Sequence, residues 1–194
     1  MAEFDVAHWF TARYEGGISD HPNDRGGFTA FGISTAFMKD FAASAKNAAF
    51  LSGLGLSGVV NRLYMKKISA PIAAKIFRRA FWEPCQLDDF CQQAATVIYD
   101  CAVNSGLQTS VRIFQQAING LIPKNGLKLV ADGLYGPKTR AGILAHGREA
   151  AIAAIEKRIA RFGQIVENNA SQRVFLKGWL NRANDLKSYV AKMK

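Results

Sequence analysis

The sequence predicts a mainly α fold that carries one small β-hairpin. Across most of the chain, apolar residues recur every three or four positions, as they do on the buried face of a helix. One segment differs, because turn-forming residues are dense after Glu15 and a short β-favouring run, 28–33, comes next. With 194 residues, 49% of them hydrophobic and 21% charged, the composition is that of a globular protein and excludes disorder.

The first predicted helix ends beside an acidic residue. Val6, Phe10 and Tyr14 share one helix face, and the Gly-Gly pair directly after Glu15 is a helix stop signal. Glu15 would then lie where the negative end of the helix dipole disfavours an anion, and Tyr14 would add desolvation. Both effects raise the pKa of a carboxyl group. A glutamate kept partly protonated near neutral pH is what a general acid requires.

The turn-rich segment and the β-favouring run predict a hairpin that folds back over the end of this helix. The segment carries a second carboxylate, Asp24, and a hydroxyl, Thr29. An acid at a helix end that faces a carboxylate and a hydroxyl can protonate a leaving oxygen and hold a water molecule opposite it. That is the equipment of glycoside hydrolysis.

The motif in residues 15–33 reads Glu-Gly-Gly, then Asn-Asp-x-Gly-Gly-x-Thr, then Gly-Ile. It resembles the N-acetylmuramidases of glycoside hydrolase family 108, which are phage endolysin-type lysozymes. The resemblance implies a lysozyme-like helical fold with the hairpin lobe beside the active site. It implies Glu15 as the catalytic acid, with Asp24 and Thr29 positioning the water, although the hydroxyl spacing is one residue shorter than in the best-known phage-type lysozymes. We expect His21 to bind substrate.

A predicted helix over residues 35–50 is followed by a glycine-rich segment, 51–60, which departs from the family pattern. It contains Gly-x-Gly-x-x-Gly, the fingerprint of dinucleotide binding. A helix rather than a strand precedes it, however, and Arg78 and Arg79 stand where that fingerprint places an acidic residue. We therefore interpret the segment as a flexible connector.

Two further motifs extend the resemblance. A helix from Ser69 to Trp82 ends in Phe-Trp-Glu-Pro, and the next, 87–103, has the apolar face of a central buried helix and leads into Asp-x-Ala-Val-Asn-Ser-Gly. The family shows similar elements, which implies that Trp82, Tyr99 and Asn104 line a sugar cleft. A core tryptophan and an ordinary helix stop are the alternatives.

The C-terminal half adds a helix over residues 108–119 and the motif Asp-Gly-x-x-Gly-Pro-x-Thr at 132–139. That motif resembles the turn of small helical peptidoglycan-binding modules, and we expect Tyr135 within it to bind substrate. A purely structural turn between two helices is the alternative. A long helix, 148–166, follows, and Arg158 is predicted off its apolar face.

We therefore predict a lysozyme-like catalytic region over residues 1–106 and a helical peptidoglycan-binding-like region over residues 107–194, packed into one globule.

The net charge of +10 and the sequence pI of about 9.7 imply a polyanionic partner. We expect the glycan strands of peptidoglycan and not nucleic acid, because the aromatic residues do not interleave with Lys and Arg as a stacking platform needs. Cys85, Cys91 and Cys101 include no Cys-x-x-Cys pair, and the histidines are far apart in sequence. No metal or other cofactor is expected, and the cysteines are interpreted as reduced, buried residues.

The acidic N-terminus lacks the apolar region of a signal peptide, and no window approaches the roughly 18 apolar residues of a membrane span. We expect a monomer made in the bacterial cytoplasm, without stable membrane insertion. It would act on the cell wall or in the periplasm after release by a holin or a secretion system.

The sequence thus predicts hydrolysis of the β-1,4 bond between N-acetylmuramic acid and N-acetylglucosamine in peptidoglycan. Alternatives are a lytic transglycosylase that uses Glu15 alone, which would leave 1,6-anhydro ends, and a non-catalytic basic protein that binds the cell wall or nucleic acid. In the non-catalytic case Glu15 would have no role.

Overall fold

A computed structural model describes residues 1–19 and 28–193. The helices are α1 (Phe4–Ala12), α2 (Thr35–Ala42), α3 (Ala45–Gly53), α4 (Arg62–Met65), α5 (Ala70–Phe77), α6 (Gln92–Ser105), α7 (Leu107–Leu121), α8 (Pro137–Asn168) and α9 (Arg173–Ala191). The strands are β1 (Ile18–Ser19), β2 (Thr29–Ala30) and β3 (Ile33–Ser34). A π-helical segment, Arg78–Trp82, continues α5, and single 3₁₀ turns lie at Glu83–Cys85, Leu87–Asp89 and Ala170–Gln172. The predicted mainly α fold is confirmed.

The chain forms two compact units, Met1–Phe10 with Phe81–Lys194, and Thr11–Ala80. The predicted division after residue 106 falls between α6 and α7, within the larger unit, and stays a prediction. Within residues 1–19 and 28–193, no helix combines the length and the apolar character needed to cross a membrane.

The larger unit is built around α6, as its sequence predicts. Residues 93–102 of α6 are buried without interruption, and the helix packs against α7, α8 and α9. Close approach to α8 depends on Gly147, since a Cβ there would lie 3.1 Å from the Cβ of Ala94. The core of this unit is therefore a bundle of helices around one helix that has little contact with solvent.

A buried ionic cluster joins three of these helices. Asp100 of α6 accepts hydrogen bonds from Arg158 of α8 at 2.6 Å and from Arg182 Nη2 of α9 at 2.8 Å. Burial alone would raise the pKa of Asp100, but the two guanidinium groups more than offset that effect and hold the pKa below its usual value. The prediction that Arg158 lies off the apolar face of its helix is wrong, because its side chain is buried.

The smaller unit holds the sheet and α2 to α5. The three strands are antiparallel in the order β1-β2-β3, with Thr29 opposite both Ser19 and Ser34. The predicted helix over residues 35–50 is two helices, because α2 ends at Ala42 and α3 begins at Ala45. The Ser44 hydroxyl caps α3 by accepting a hydrogen bond from the Asn47 amide at 3.4 Å. The glycine-rich segment, 51–60, begins in the last turn of α3 and continues as the connection towards α4.

Candidate active site

Glu15 lies where α1 gives way to the sheet. After Ala12 the chain makes one tighter turn, in which the Tyr14 amide donates to the Thr11 carbonyl at 3.0 Å and the Glu15 amide donates to the Ala12 carbonyl at 3.3 Å. Gly16, with φ +62°, takes the left-handed conformation that ends many helices. Glu15 is thus anchored through its own backbone at the C-terminal end of the helix, where the sequence predicts it.

The turn between β2 and β3 packs directly on the Glu15 side chain. Phe31 and Gly32, with φ of +50° and +81°, form the two-residue turn, and both positive angles suit the twist of a tight hairpin. A Cβ on Gly32 would lie 2.5 Å from Glu15 Oε2 and 2.7 Å from Glu15 Cβ. Position 32 therefore requires glycine for its backbone angle and for space. The hairpin folds over the helix end, as predicted.

The carboxyl group of Glu15 packs against the backbone of the turn at Gly32. Its residue is half-buried, Oε1 is shielded from solvent, and Oε2 faces the backbone of Gly32. Such confinement limits the side chain to few orientations and keeps water from part of the carboxyl group. A carboxyl group that is positioned in this way can transfer a proton to or from a bound substrate.

The other two proposed catalytic residues differ in what the structure says of them. Thr29 lies in β2, on the hairpin whose turn covers Glu15, and it is half-buried while its neighbour Ala30 is fully buried. Because side chains alternate along a strand, Thr29 faces away from the core that Ala30 enters. Asp24 and the proposed substrate-binding residue His21 lie outside the described residues, so their roles stay predictions.

Trp82 and Tyr99 lie in an aromatic cluster of the larger unit rather than on a surface. Both are 0% exposed, and their rings meet each other and Phe4 edge to face, with Phe4 to Trp82 centroids 5.5 Å apart. The Tyr99 hydroxyl lies 2.8 Å from Nδ1 of His8, whose pKa is lowered by burial. A ring without an exposed face cannot stack on a sugar, so we assign both residues to the core.

Asn104 and Tyr135, the remaining substrate-binding predictions, are not tested by their positions. Asn104 is exposed in the last turn of α6, where its Oδ1 accepts a hydrogen bond from the Ser105 hydroxyl at 3.0 Å. Tyr135 is half-buried with its hydroxyl oxygen shielded, and burial raises its pKa to about 12. Asn104 is therefore accessible to a ligand, whereas the hydroxyl of Tyr135 is not exposed to solvent.

The segment 132–139 is organised around Gln115 of α7, a residue that none of the sequence motifs includes. The Gln115 side chain accepts from the Gly133 amide at 2.9 Å and donates to Asp132 at 3.0 Å and to Thr139 at 3.0 Å. The Asp132 carboxylate also accepts from the Leu134 amide at 2.8 Å. Gln115 is buried on the apolar face of its helix. A polar residue at such a position in the sequence indicates a side chain with buried hydrogen-bond partners, and this pattern could have identified Gln115.

The described residues contain no group of three or more His, Cys, Asp or Glu side chains placed to hold a metal ion. Among the cysteines, Cys85 and Cys101 are buried and Cys91 is half-buried, and all three are free.

The fold is mainly α and lysozyme-like, and the family comparison makes the chain a glycoside hydrolase. Residues 8–106 match the Glycosyl hydrolase 108 family, and residues 109–184 match a domain described as Predicted Peptidoglycan domain. The chain belongs to the glycosyl hydrolase 108 family, as its motifs indicate. With both regions present, it is a peptidoglycan hydrolase of the muramidase type.

Among solved structures, SagA of Brucella abortus is similar over almost the whole chain. The match covers 98% of this chain and 94% of SagA, with 24% sequence identity and a TM-score of 0.69. At that identity the likeness shows the fold alone. No curated protein matches the chain.

Proposed function

We propose that the enzyme cleaves the β-1,4 bond between N-acetylmuramic acid and N-acetylglucosamine, with Glu15 as the general acid. The observation that carries the proposal is the packing of the Glu15 side chain against the turn at Gly32, with Oε1 shielded from solvent and the Glu15 backbone anchored at the end of α1. A proton donor in a glycosidase must meet the glycosidic oxygen in one orientation, and this packing supplies that restraint.

In the proposed reaction the Glu15 proton passes to the departing glycosidic oxygen while the bond from that oxygen to the anomeric carbon of muramic acid breaks. Asp24 and Thr29 orient or deprotonate the attacking water, or stabilise the positive charge that develops on the sugar. The water oxygen becomes the new anomeric hydroxyl. The products are a reducing N-acetylmuramic acid end and a free hydroxyl on N-acetylglucosamine.

Substrate contacts are proposed for Asn104, whose exposed amide can exchange hydrogen bonds with an acetamido group. His21 and Tyr135 are proposed as further contacts along the glycan. Substitution of each residue by alanine should raise KM more than it lowers kcat, because such contacts bind substrate and transition state alike. Equal losses in kcat and kcat/KM for Asn104→Ala would contradict a binding role.

The test compares wild type with Glu15→Gln on purified peptidoglycan, with mass spectrometry of the soluble fragments. We expect the variant to keep its fold and to lose about 10²–10⁴-fold in rate, which is the usual contribution of a general acid. Asp40→Asn is the matched control, since it removes an exposed carboxylate from α2 in the same compact unit. The control should clear peptidoglycan as fast as wild type.

Product chemistry decides the reaction type. Reducing muropeptides from wild type support hydrolysis. Products with 1,6-anhydro ends would instead show that the muramic 6-hydroxyl attacks in place of water, as in a lytic transglycosylase. Equal rates for wild type and Glu15→Gln would refute the role of Glu15 altogether.

We propose further that the protein acts as an endolysin of phage or prophage origin and that it is a monomer. It is made in the cytoplasm and reaches the wall with the help of a holin or a secretion system. Expression in a bacterial host, alone and with a holin, tests this proposal by optical density and cell fractionation. Lysis that requires the holin supports it. Lysis by the protein alone would contradict dependence on a release partner.

A further inference from the structure

A basic cavity opens between α7 and α8 in the larger unit. It has a volume of about 310 Å³, and three cationic side chains line it, namely Arg112 from α7 and Lys157 and Arg161 from α8. The polar side chains of Thr109, Gln116 and Gln164 complete the polar part of its wall. At about 30 Å³ for each water-sized group, the cavity has room for roughly ten non-hydrogen atoms.

The charges in this cavity are not balanced from within. No carboxylate lines it, and in the described part of the chain none of its three cations forms an ion pair within 4 Å, although the Asp132 carboxylate outside the lining interacts electrostatically with Arg112. Arg112 uses one Nη2 hydrogen bond, at 3.0 Å, to reach the Asp132 carbonyl, which holds its guanidinium group while other donors remain. Three like charges repel one another, so an anion that enters the cavity lowers the electrostatic energy.

Helical spacing explains how the wall is assembled. Thr109, Arg112 and Gln116 follow one another at three or four residues along α7, and Lys157, Arg161 and Gln164 do the same along α8. Each helix therefore contributes one polar face to the same cavity. Arginine, lysine and glutamine side chains together offer many N–H donors, which suits the oxygen atoms of a carboxylate or a phosphate.

We propose that this cavity binds an anionic group of the bacterial wall, a carboxylate of a peptide stem or a phosphate of an attached polymer. The inference rests on the proposed function, and the cavity lies within residues 109–184, which match the peptidoglycan domain. The site would hold the enzyme to its polymeric substrate through a group distinct from the glycosidic bond that is cut. The net charge of +10 supports such an interaction over a longer range.

The test measures sedimentation of the protein with purified peptidoglycan. All proteins carry Glu15→Gln, so that the polymer is not digested and binding is scored separately from catalysis. The double variant Lys157→Gln/Arg161→Gln should bind on the order of tenfold more weakly at low salt, because two charge-assisted interactions are lost. The matched control is Arg173→Gln/Lys177→Gln, which removes two exposed charges of α9 outside the cavity and should change affinity much less.

Chemically treated walls identify the anion. Loss of binding after the peptide carboxylates are amidated assigns the cavity to carboxylates, and loss after removal of phosphate-bearing polymers assigns it to phosphates. Equal weakening by the cavity variant and the α9 control would overturn the proposal, because charge alone would then explain binding. Duplex DNA that binds more tightly than the wall, with the same dependence on Lys157 and Arg161, would overturn the assignment to a wall polymer.

A wild-type protein that binds the wall through the cavity but cuts no bond would refute the proposed function and leave this inference standing. Hydrolysis by wild type together with unchanged binding by the cavity variant would support the proposed function and refute the cavity as an anion site.

Discussion

Replacing Gly32 with alanine tests whether the hairpin turn sets the position of Glu15. The added Cβ would lie 2.5 Å from Glu15 Oε2, whereas ordinary contacts begin near 3.4 Å. Either the carboxyl group or the turn must therefore move by about 1 Å. Movement of the carboxyl group relieves only the contact with Oε2. Because the added Cβ would also lie 2.7 Å from Glu15 Cβ, we expect the turn and Glu15 itself to move apart, and the carboxyl group to leave its position with them.

Two effects of different size follow from this substitution. The strain of alanine in the left-handed conformation at φ +81° alone costs about 1–2 kcal/mol, which lowers Tm by roughly 2–8 °C for a chain of this length, and the clash with Glu15 Cβ adds to that loss. Displacement of a catalytic group by about 1 Å lowers the rate on the order of 10²-fold. Measured below its Tm, the folded variant should thus lose far more activity than its loss of stability explains.

Two other glycines separate these effects. Gly55, with φ +78°, has no atom within 4 Å of an added Cβ, so Gly55→Ala introduces backbone strain without a clash. Gly133, with φ +80°, would place its Cβ 2.5 Å from the Gln108 carbonyl oxygen in the larger unit, so Gly133→Ala adds both strain and a clash. Initial rates of peptidoglycan clearance and thermal melting are measured for all three. A wild-type rate for Gly32→Ala, or an equal loss of activity for Gly55→Ala, would refute the role of the hairpin turn in positioning Glu15.

Three further predictions concern stability and reactivity. Asp100→Asn should lower the free energy of unfolding in urea by about 3–5 kcal/mol, because two buried arginines lose their counter-charge. The pKa of Asp100 in the folded protein lies below the unfolded value, near 3.8. Its contribution to the free energy of unfolding is therefore complete above pH 3.8 and is lost as the pH falls through the folded pKa. The variant should lack this acid dependence. A thiol reagent at pH 8 should label Cys91 in the native protein and reach Cys85 and Cys101 only in urea, since burial raises the pKa of both, that of Cys85 to about 12. Gln115→Ala should lower Tm by roughly 4–12 °C, because the lost hydrogen bonds are worth about 2–3 kcal/mol together.

The parts of the site that the sequence predicts are those encoded by local signals. A helix face that ends at Gly-Gly placed Glu15 at the end of α1, and a turn-dense segment followed by a β-favouring run predicted the hairpin. Both signals act over a few residues, through backbone angles and the period of burial. The apolar face of residues 87–103 likewise predicted the central helix. For these elements tertiary contacts reinforce the local preference.

The errors concern residues whose environment depends on distant parts of the chain. Arg158 was placed off the apolar face on charge alone, although it follows Ile155 by three residues and precedes Phe162 by four. The cost of burying its charge is offset by the ion pair with Asp100, which lies on another helix. The family resemblance implied a sugar cleft at Trp82, with a core tryptophan as the alternative. Its complete burial depends on Phe4 and Tyr99, which come from elements distant in sequence.

The most specific part of the motif acts through backbone geometry around a single carboxyl group. Gly16 permits the left-handed turn that ends the helix at Glu15, and Gly32 permits both the hairpin turn and its close approach to the carboxyl group. Neither glycine can donate or accept a proton through a side chain. At Gly32 the absence of a Cβ lets the hairpin turn approach Glu15, whereas a Cβ at Gly16 would contact nothing and only the backbone angle favours glycine there. A substitution at Gly32 should therefore impair catalysis although it leaves every ionisable group in place.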